Sequence, residues 1–187
     1  MRKLKLQVQM TIDGFVAGPN GELNWASFNW DEELNTYVEN LTEPVDTIIL
    51  GRKLAQGFIP YWASNPEGEA GRGAEKFNTT PKVVFTKTLE TSDWGNTVLA
   101  KGDLVEEVNI LKMQAGGDII AYGGATFVSA LVKHGLIDEY HLFINPAVIG
   151  TGLSIFKELD NLQKMQLKNA RTFPCGIVAL WYEPIRE

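Results

Sequence analysis

The sequence predicts an α/β fold built on a mixed, mostly parallel sheet that ends in an antiparallel hairpin at the carboxyl terminus. Three observations carry that expectation. Short strand-like runs alternate with helical stretches along most of the chain, the pattern of a parallel sheet covered on both faces. The segment KMQLKNARTF-PCG-IVALWYEP (164–184) reads as two strands around a tight turn, which adds antiparallel strands at one edge. With 187 residues, 44% of them hydrophobic and 21% charged, the chain has the material for one domain, 1–187, with a real core.

The elements follow in order. Leu4, Leu6, Val8, Met10 and Ile12 alternate with Lys5, Gln7, Gln9 and Thr11, a period of two that predicts a strand with one face in the core. It stops at Asp13-Gly14, a common turn pair. Residues 14–29, GFVAGPNGELNWASFN, form a long loop before the helical stretch WDEELNTYVENL. VDTIILG (45–51) reads as a buried strand, RKLAQGF as a short helix, ASNPEGEAGRG (63–73) as a surface excursion, and KVVFTKTL (82–89) as a second buried strand. TVLAKG is a short strand, and Asp103 with Glu106 starts a helix whose Leu104, Val108 and Leu111 share a face. DIIAY leads through Gly123-Gly124 into a helix, IDEYHLFINPAVIG is a further strand, and GLSIFKEL (152–159) a short helical turn.

Composition excludes several functions. A formal net charge of −6 without runs of like charge leaves no nucleic-acid footprint or polybasic anchor. The first residues alternate apolar with polar and no run could span a bilayer, so a cytoplasmic protein is expected. Cys175 is the single cysteine and reads as a small buried or turn residue. No metal-ligand spacing and no nucleophile motif is present.

Chemistry is expected where the strands of a parallel sheet end. Three strand ends carry unusual residues: Gly51, Arg52 and Lys53; Thr86 and Lys87; and Gly123, Gly124, Ala125 and Thr126. The first two bring cations or a hydroxyl, and the third brings free backbone N–H groups at a helix start, a combination suited to a ligand with separate phosphates. Each also has a bland reading, as a turn or as solvated charge. Asp13, Asp31, Glu32 and Glu33 are the candidate general acids or bases, Asp13 first and Asp31 second, though Asp13 also suits a turn and Asp31 to Glu33 a helix start. His134 reads as a helix carboxyl-end residue and His141 as a strand residue.

Taken together, VQMTIDGFVAG, ILGRK, PKVVFTKTL and IIAYGGATFVSALVKHGLIDEYHLFINPAVIGTG resemble, in order, segments of the dihydrofolate-reductase-like proteins. Within these the chain is most similar to the reductase domain of riboflavin biosynthesis, the RibD C-terminal domain, in a stand-alone form. The resemblance implies a three-layer α/β/α dihydrofolate-reductase-like fold, NADPH as cofactor and a homodimer. It places Arg52, Lys53, Thr86 and Lys87 near the adenosine 2′-phosphate and pyrophosphate, with Gly51 in that phosphate loop and Gly123 to Thr126 around the pyrophosphate. Residues 13–25 correspond to a loop that closes over nicotinamide and substrate, with Phe15 and Trp25 as stacking residues beside Phe28 and Trp30. The implied activity is an NADPH-dependent reductase of a small heterocycle, like 5-amino-6-(5-phosphoribosylamino)uracil reductase or dihydrofolate reductase. The alternative is a non-catalytic NADP(H)-binding module.

Departures from the family narrow this. LNW (23–25) lacks the proline that precedes the pterin-binding acid in folate reductases, and Asp31 matches that acid only approximately. Phe15 stands where riboflavin reductases place a cation, Leu54 replaces a threonine, and no zinc deaminase motif is present.

Overall fold

A computed structural model describes residues 1–64 and 73–186. Its elements are β1 (Leu4–Thr11), α1 (Glu32–Thr42), β2 (Val45–Gly51), α2 (Arg52–Ala63), α3 (Ala74–Thr79), β3 (Lys82–Phe85), β4 (Thr97–Ala100), α4 (Leu104–Met113), β5 (Asp118–Tyr122), α5 (Ala125–Lys133), β6 (Glu139–Asn145), β7 (Met165–Thr172) and β8 (Val178–Pro184). Together the strands make one sheet in the order β4-β3-β2-β5-β1-β6-β8-β7. Pairing is parallel from β4 to β6, and the β7–β8 hairpin joins β6 antiparallel, as the alternation and the final hairpin predict.

Helices cover the two faces in separate groups. Leu6 and Ile49 both lie beside Ala121 in the pairing, and this face packs against α4 and α5 through Val108, Val128, Leu131 and Val132. The other face carries Ile48, Leu50, Val84 and Ile120 under α2 and α3, and Phe143 and Ala179 under α1. Connections leaving to opposite faces follow from right-handed crossovers running both ways from a central strand.

Local sequence explains the boundaries. Asp31 caps α1 by accepting from the Leu34 N–H at 2.9 Å, and Asp103 caps α4 by accepting from Val105 and Glu106. Helix α2 runs on to Ala63, past the expected end at Phe58, with Pro60 inside it. The missing N–H is tolerated because Phe58 packs edge-on with Phe77 of α3 and with Tyr122, and Trp62 packs tilted on Phe77. Strand β3 ends at Phe85, earlier than expected, because the Thr86 hydroxyl accepts from the N–H groups of Thr88 and Leu89 and turns the chain. Helix α3 is too short to show a period in the sequence. Within 152–159, where a short helical turn is expected, a single turn is closed by Leu159 N–H to Phe156 C=O, with Ile155 buried. The surface excursion expected at 63–73 lies outside the described residues from 65 to 72.

The alternation predicts one core face for β1, and the structure covers both: Lys5, Gln7 and Thr11 are buried along with Leu4, Leu6, Val8 and Met10. Strand β1 is a central strand between β5 and β6, so both of its faces are covered.

Candidate active site

Strands β2 and β5 are neighbours whose following helices leave to opposite faces, which opens a crevice beyond their carboxyl ends. The residues there touch across it. A β-carbon on Gly51 would stand 2.6 Å from Cβ of Phe127 in α5, and one on Gly124 would meet Cβ of Leu54 in α2 at 3.5 Å. The starts of α2 and α5 therefore lie against each other. Both begin at a glycine with no side-chain cap, whereas α1 and α4 are each capped by an aspartate. Uncapped first-turn N–H groups and two helix dipoles point into one crevice, the arrangement that attracts anions.

The candidate residues divide by what they already hold. Gly51, Arg52, Lys53, Gly123, Gly124, Ala125 and Thr126 stand at the carboxyl ends of β2 and β5 and in the first turns of α2 and α5. Arg52 donates to Gln56 of its own helix at 3.0 Å, and Lys53 is exposed. Thr86 and Lys87 follow β3, next to β2 in the sheet, with Gly51 paired to Phe85. The Thr86 hydroxyl is buried in its turn, and the Lys87 ammonium donates to the carbonyls of Lys101 and Gly102 at 2.7 and 2.6 Å, toward the end of β4.

The two leading candidate acids are engaged by backbone. Asp13 accepts from Ile149 and Gly150, the latter at 2.7 Å. A hydrogen bond from the Thr11 side chain, joined by these N–H groups, holds its pKa below the ordinary aspartate value. Asp31 accepts from Leu34 and, at 2.8 Å, from the N–H of Cys175 in the β7–β8 turn. The Leu34 bond is the main cause that lowers its pKa. Each carboxyl is therefore set to stay ionised near neutral pH.

The long loop is fastened at both ends. Val16 donates to Leu153 and Leu153 to Ala17, which pins 16–17 to the segment after β6, and Ser27 donates to the side chain of Asn145. Between these anchors, the turn at 18–22 closes on itself through Gly18 and Glu22. Trp25 is half-buried with no hydrogen-bond partner for its buried indole N–H, Phe15 is half-buried, and Phe28 is exposed. Trp30 instead stacks on Phe143, a core role.

A polar seam runs beneath this loop. Lys5, Gln7, Gln9 and Thr11 of β1 stand beside Glu139, His141, Phe143 and Asn145 of β6 in direct register. They lie on the helix-covered face between the cluster under α1 and the cluster under α2 and α3. Lys5 pairs with Asp118 at 2.8 Å, and Glu139 pairs with Lys3 at 2.6 Å and His141 at 3.2 Å. Burial alone would raise the Glu139 pKa, but the bonds from His141 and Lys3 prevail and bring it down to about 2. Asn145 donates to Gln9 at 2.7 Å. None of Gln7, Gln9 or Asn145 stands out in the sequence; the available signal was a polar alternation in a strand too central to have a wet face.

The sequence model of the RibD C-terminal domain matches residues 2–179. The chain belongs to the RibD C-terminal domain family. It is 31% identical over 182 residues to the uncharacterized protein YyaP of Bacillus subtilis, covering 97% of this chain and 94% of that one. Among solved structures, the RibD C-terminal fold recurs in the diaminohydroxyphosphoribosylaminopyrimidine deaminase/5-amino-6-(5-phosphoribosylamino)uracil reductase of Thermotoga maritima, with a TM-score of 0.70 at 17% identity, covering 98% of this chain and 57% of that one. A pyrimidine reductase-like protein of Corynebacterium diphtheriae gives a TM-score of 0.68 at 14% identity, covering 100% of this chain and 93% of the other. Among the described residues of this RibD C-terminal domain, no helix is long and apolar enough to cross a membrane, and no three His, Cys, Asp or Glu gather as a metal site.

Proposed function

We propose that the chain is a cytoplasmic NADPH-dependent oxidoreductase that reduces a small heterocycle, in a reaction like that of the riboflavin-pathway reductases. The observation that carries this is the meeting of two glycine-initiated, uncapped helices at the β2/β5 crevice in a RibD C-terminal domain. When bound, NADPH would supply the hydride. The N–H groups at Gly123, Gly124, Ala125 and Thr126 hold the pyrophosphate, while Arg52 and Lys53 take the 2′-phosphate, with Gly51 keeping their loop close and Thr86 and Lys87 forming the wall at β3. Loop 13–25 covers the reacting end and excludes water, with Phe15 and Trp25 against the flat substrate. Asp13 fastens the loop to residues 149–150 and so fixes the mouth of the site.

A second reading, a non-catalytic NADP(H)-binding module, draws on one observation: both leading candidate acids are already engaged by backbone N–H groups. A homodimer is proposed from β7, an edge strand exposed over nearly its whole length.

The test is a fluorescence titration with NADPH and, separately, NADH, on wild type, Arg52→Ala and Lys53→Ala. At least tenfold preference for NADPH, reduced in both variants, is expected. Binding of neither nucleotide would remove the proposal, and tight NADPH binding without turnover across a panel of aminopyrimidines would favour the second reading.

A further inference from the structure

The polar seam is satisfied at its two ends and unsatisfied in its middle. At one end Lys5 is bonded to Asp118 and to the Leu41 carbonyl; at the other, Asn145 ties Gln9 to the loop at Ser27. Between them Gln7 Oε1, His141 Nδ1 and Trp181 Nε1 are all buried without a hydrogen-bond partner. These three residues form a single row, Gln7 opposite His141 and His141 opposite Trp181, on the adjacent strands β1, β6 and β8. The His141 ring stacks on Trp181 with centroids 5.4 Å apart and 23° between planes. Gln7 is 7% and His141 4% exposed, so water outside the fold does not satisfy them. Folded proteins rarely leave one such atom unpaired, and three in one row call for a partner that the chain itself does not provide.

The chemistry of that partner follows from the row. His141 Nε2 is engaged by Glu139 at 3.2 Å, which leaves Nδ1 as the ring nitrogen free to meet a further partner. Gln7 Oε1 is an acceptor, and the Trp181 indole N–H is a donor. The row lies two residues below Gln9, about 7 Å deeper than the loop anchor at a strand rise of roughly 3.3 Å per residue. Glu139 is already matched by Lys3 and His141, and Lys5 by Asp118, so the seam offers no unmatched charge for an ionic group.

We infer that Gln7, His141 and Trp181 form the recognition edge for an uncharged, planar amino-oxo heterocycle, an N–H group directed to Gln7, a carbonyl or ring nitrogen to Trp181, and a further edge atom to Nδ1 of His141 between them. This deepens the reductase reading and rests on it, since the heterocycle would extend from this row toward the strand-end crevice. Recognition is by neutral hydrogen bonds, with no role for a carboxylate such as Asp31.

The experiment measures binding of 5,6-diaminouracil to the NADPH-loaded protein by calorimetry, for wild type, Gln7→Met and Trp181→Phe. His141 is left in place because its Nε2 holds Glu139. Gln7→Met removes an unpaired polar atom at nearly constant shape, whereas Trp181→Phe removes one and keeps an aromatic face on His141 with less volume. The melting temperature of Gln7→Met should therefore stay level or rise, while in both variants diaminouracil affinity should fall at least tenfold and NADPH affinity should stay within twofold. A wild type that binds NADPH and no diaminouracil overturns the inference. So do variants that bind diaminouracil as wild type does, or a lower melting temperature in Gln7→Met, which would make the row structural. Diaminouracil binding weakened by Gln7→Met in a protein that binds no NADPH would support the row while removing the reductase reading.

Discussion

The two adjacent glycines at the start of α5 separate by what the fold asks of each. Gly124 has φ of +93°, in the region that side chains avoid, so the turn itself requires it. Gly123 does not have a positive φ, and a β-carbon added to it meets nothing within 4 Å. No contact in the chain requires glycine there, whereas a phosphate bound as proposed would. Gly123→Ala should accordingly leave stability unchanged or raise it by roughly 0.4–1 kcal/mol through a less flexible unfolded chain. The same methyl group would stand where a phosphate must reach the backbone, and a conflict of about 1.4–3 kcal/mol corresponds to roughly 10- to 100-fold weaker NADPH binding. Gly124→Ala provides the contrast. Its added carbon makes an ordinary 3.5 Å contact with Leu54, while the left-handed backbone costs about 1–2 kcal/mol, or a few degrees of melting temperature. Urea unfolding and fluorescence titration on both variants decide the matter. A Gly123→Ala protein as stable as wild type and binding NADPH equally well would refute the assignment of the crevice to a phosphate.

Other expectations follow from the same geometry. Asp31→Asn retains an acceptor for the α1 cap and should keep its fold and any reductase activity, whereas Asp31→Ala loses both the cap and the tie to Cys175 and should melt a few degrees lower; equal loss of turnover in a stable Asp31→Asn would restore a catalytic role. The folded pKa of Glu139 lies below its unfolded value, so its stabilisation is present above about pH 4.5 and lost as pH falls toward about 2. That difference corresponds to roughly 3 kcal/mol, and Glu139→Gln should flatten the acid limb of the urea midpoint against pH; parallel limbs would contradict it. Light scattering at micromolar concentration should give a dimer mass, because β7 leaves an eight-residue edge strand uncovered, and a monomer mass would count against that.

Much of the fold was legible because its signals are local. Aspartates mark the starts of α1 and α4, glycines the starts of α2 and α5, and the Pro-Cys-Gly turn the final hairpin. The failures were set by tertiary contacts: aromatic packing carries α2 past Pro60, and a side-chain bond from Thr86 ends β3 early. The strand-end residues of the candidate crevice could be found as a set because topology sends strand ends to one place, although Lys87 turns to the carbonyls at the end of β4.

The seam was illegible for a different reason. The alternation of β1 marks one core face, while a parallel sheet covered on both sides leaves no wet face; only the second consideration shows that the polar side of β1 is buried as well. When a central strand alternates apolar and polar residues, its polar face is buried, and every polar atom on it must be matched by the chain or by something the chain binds. Here Lys5, Gln9 and Thr11 are matched within the chain and Gln7 is not. Had selection favoured stability alone, valine or isoleucine at Gln7 would have served a buried strand better. The retention of an unmatched amide opposite an unmatched imidazole nitrogen is therefore the feature of the sheet that packing explains least and a polar ligand explains best.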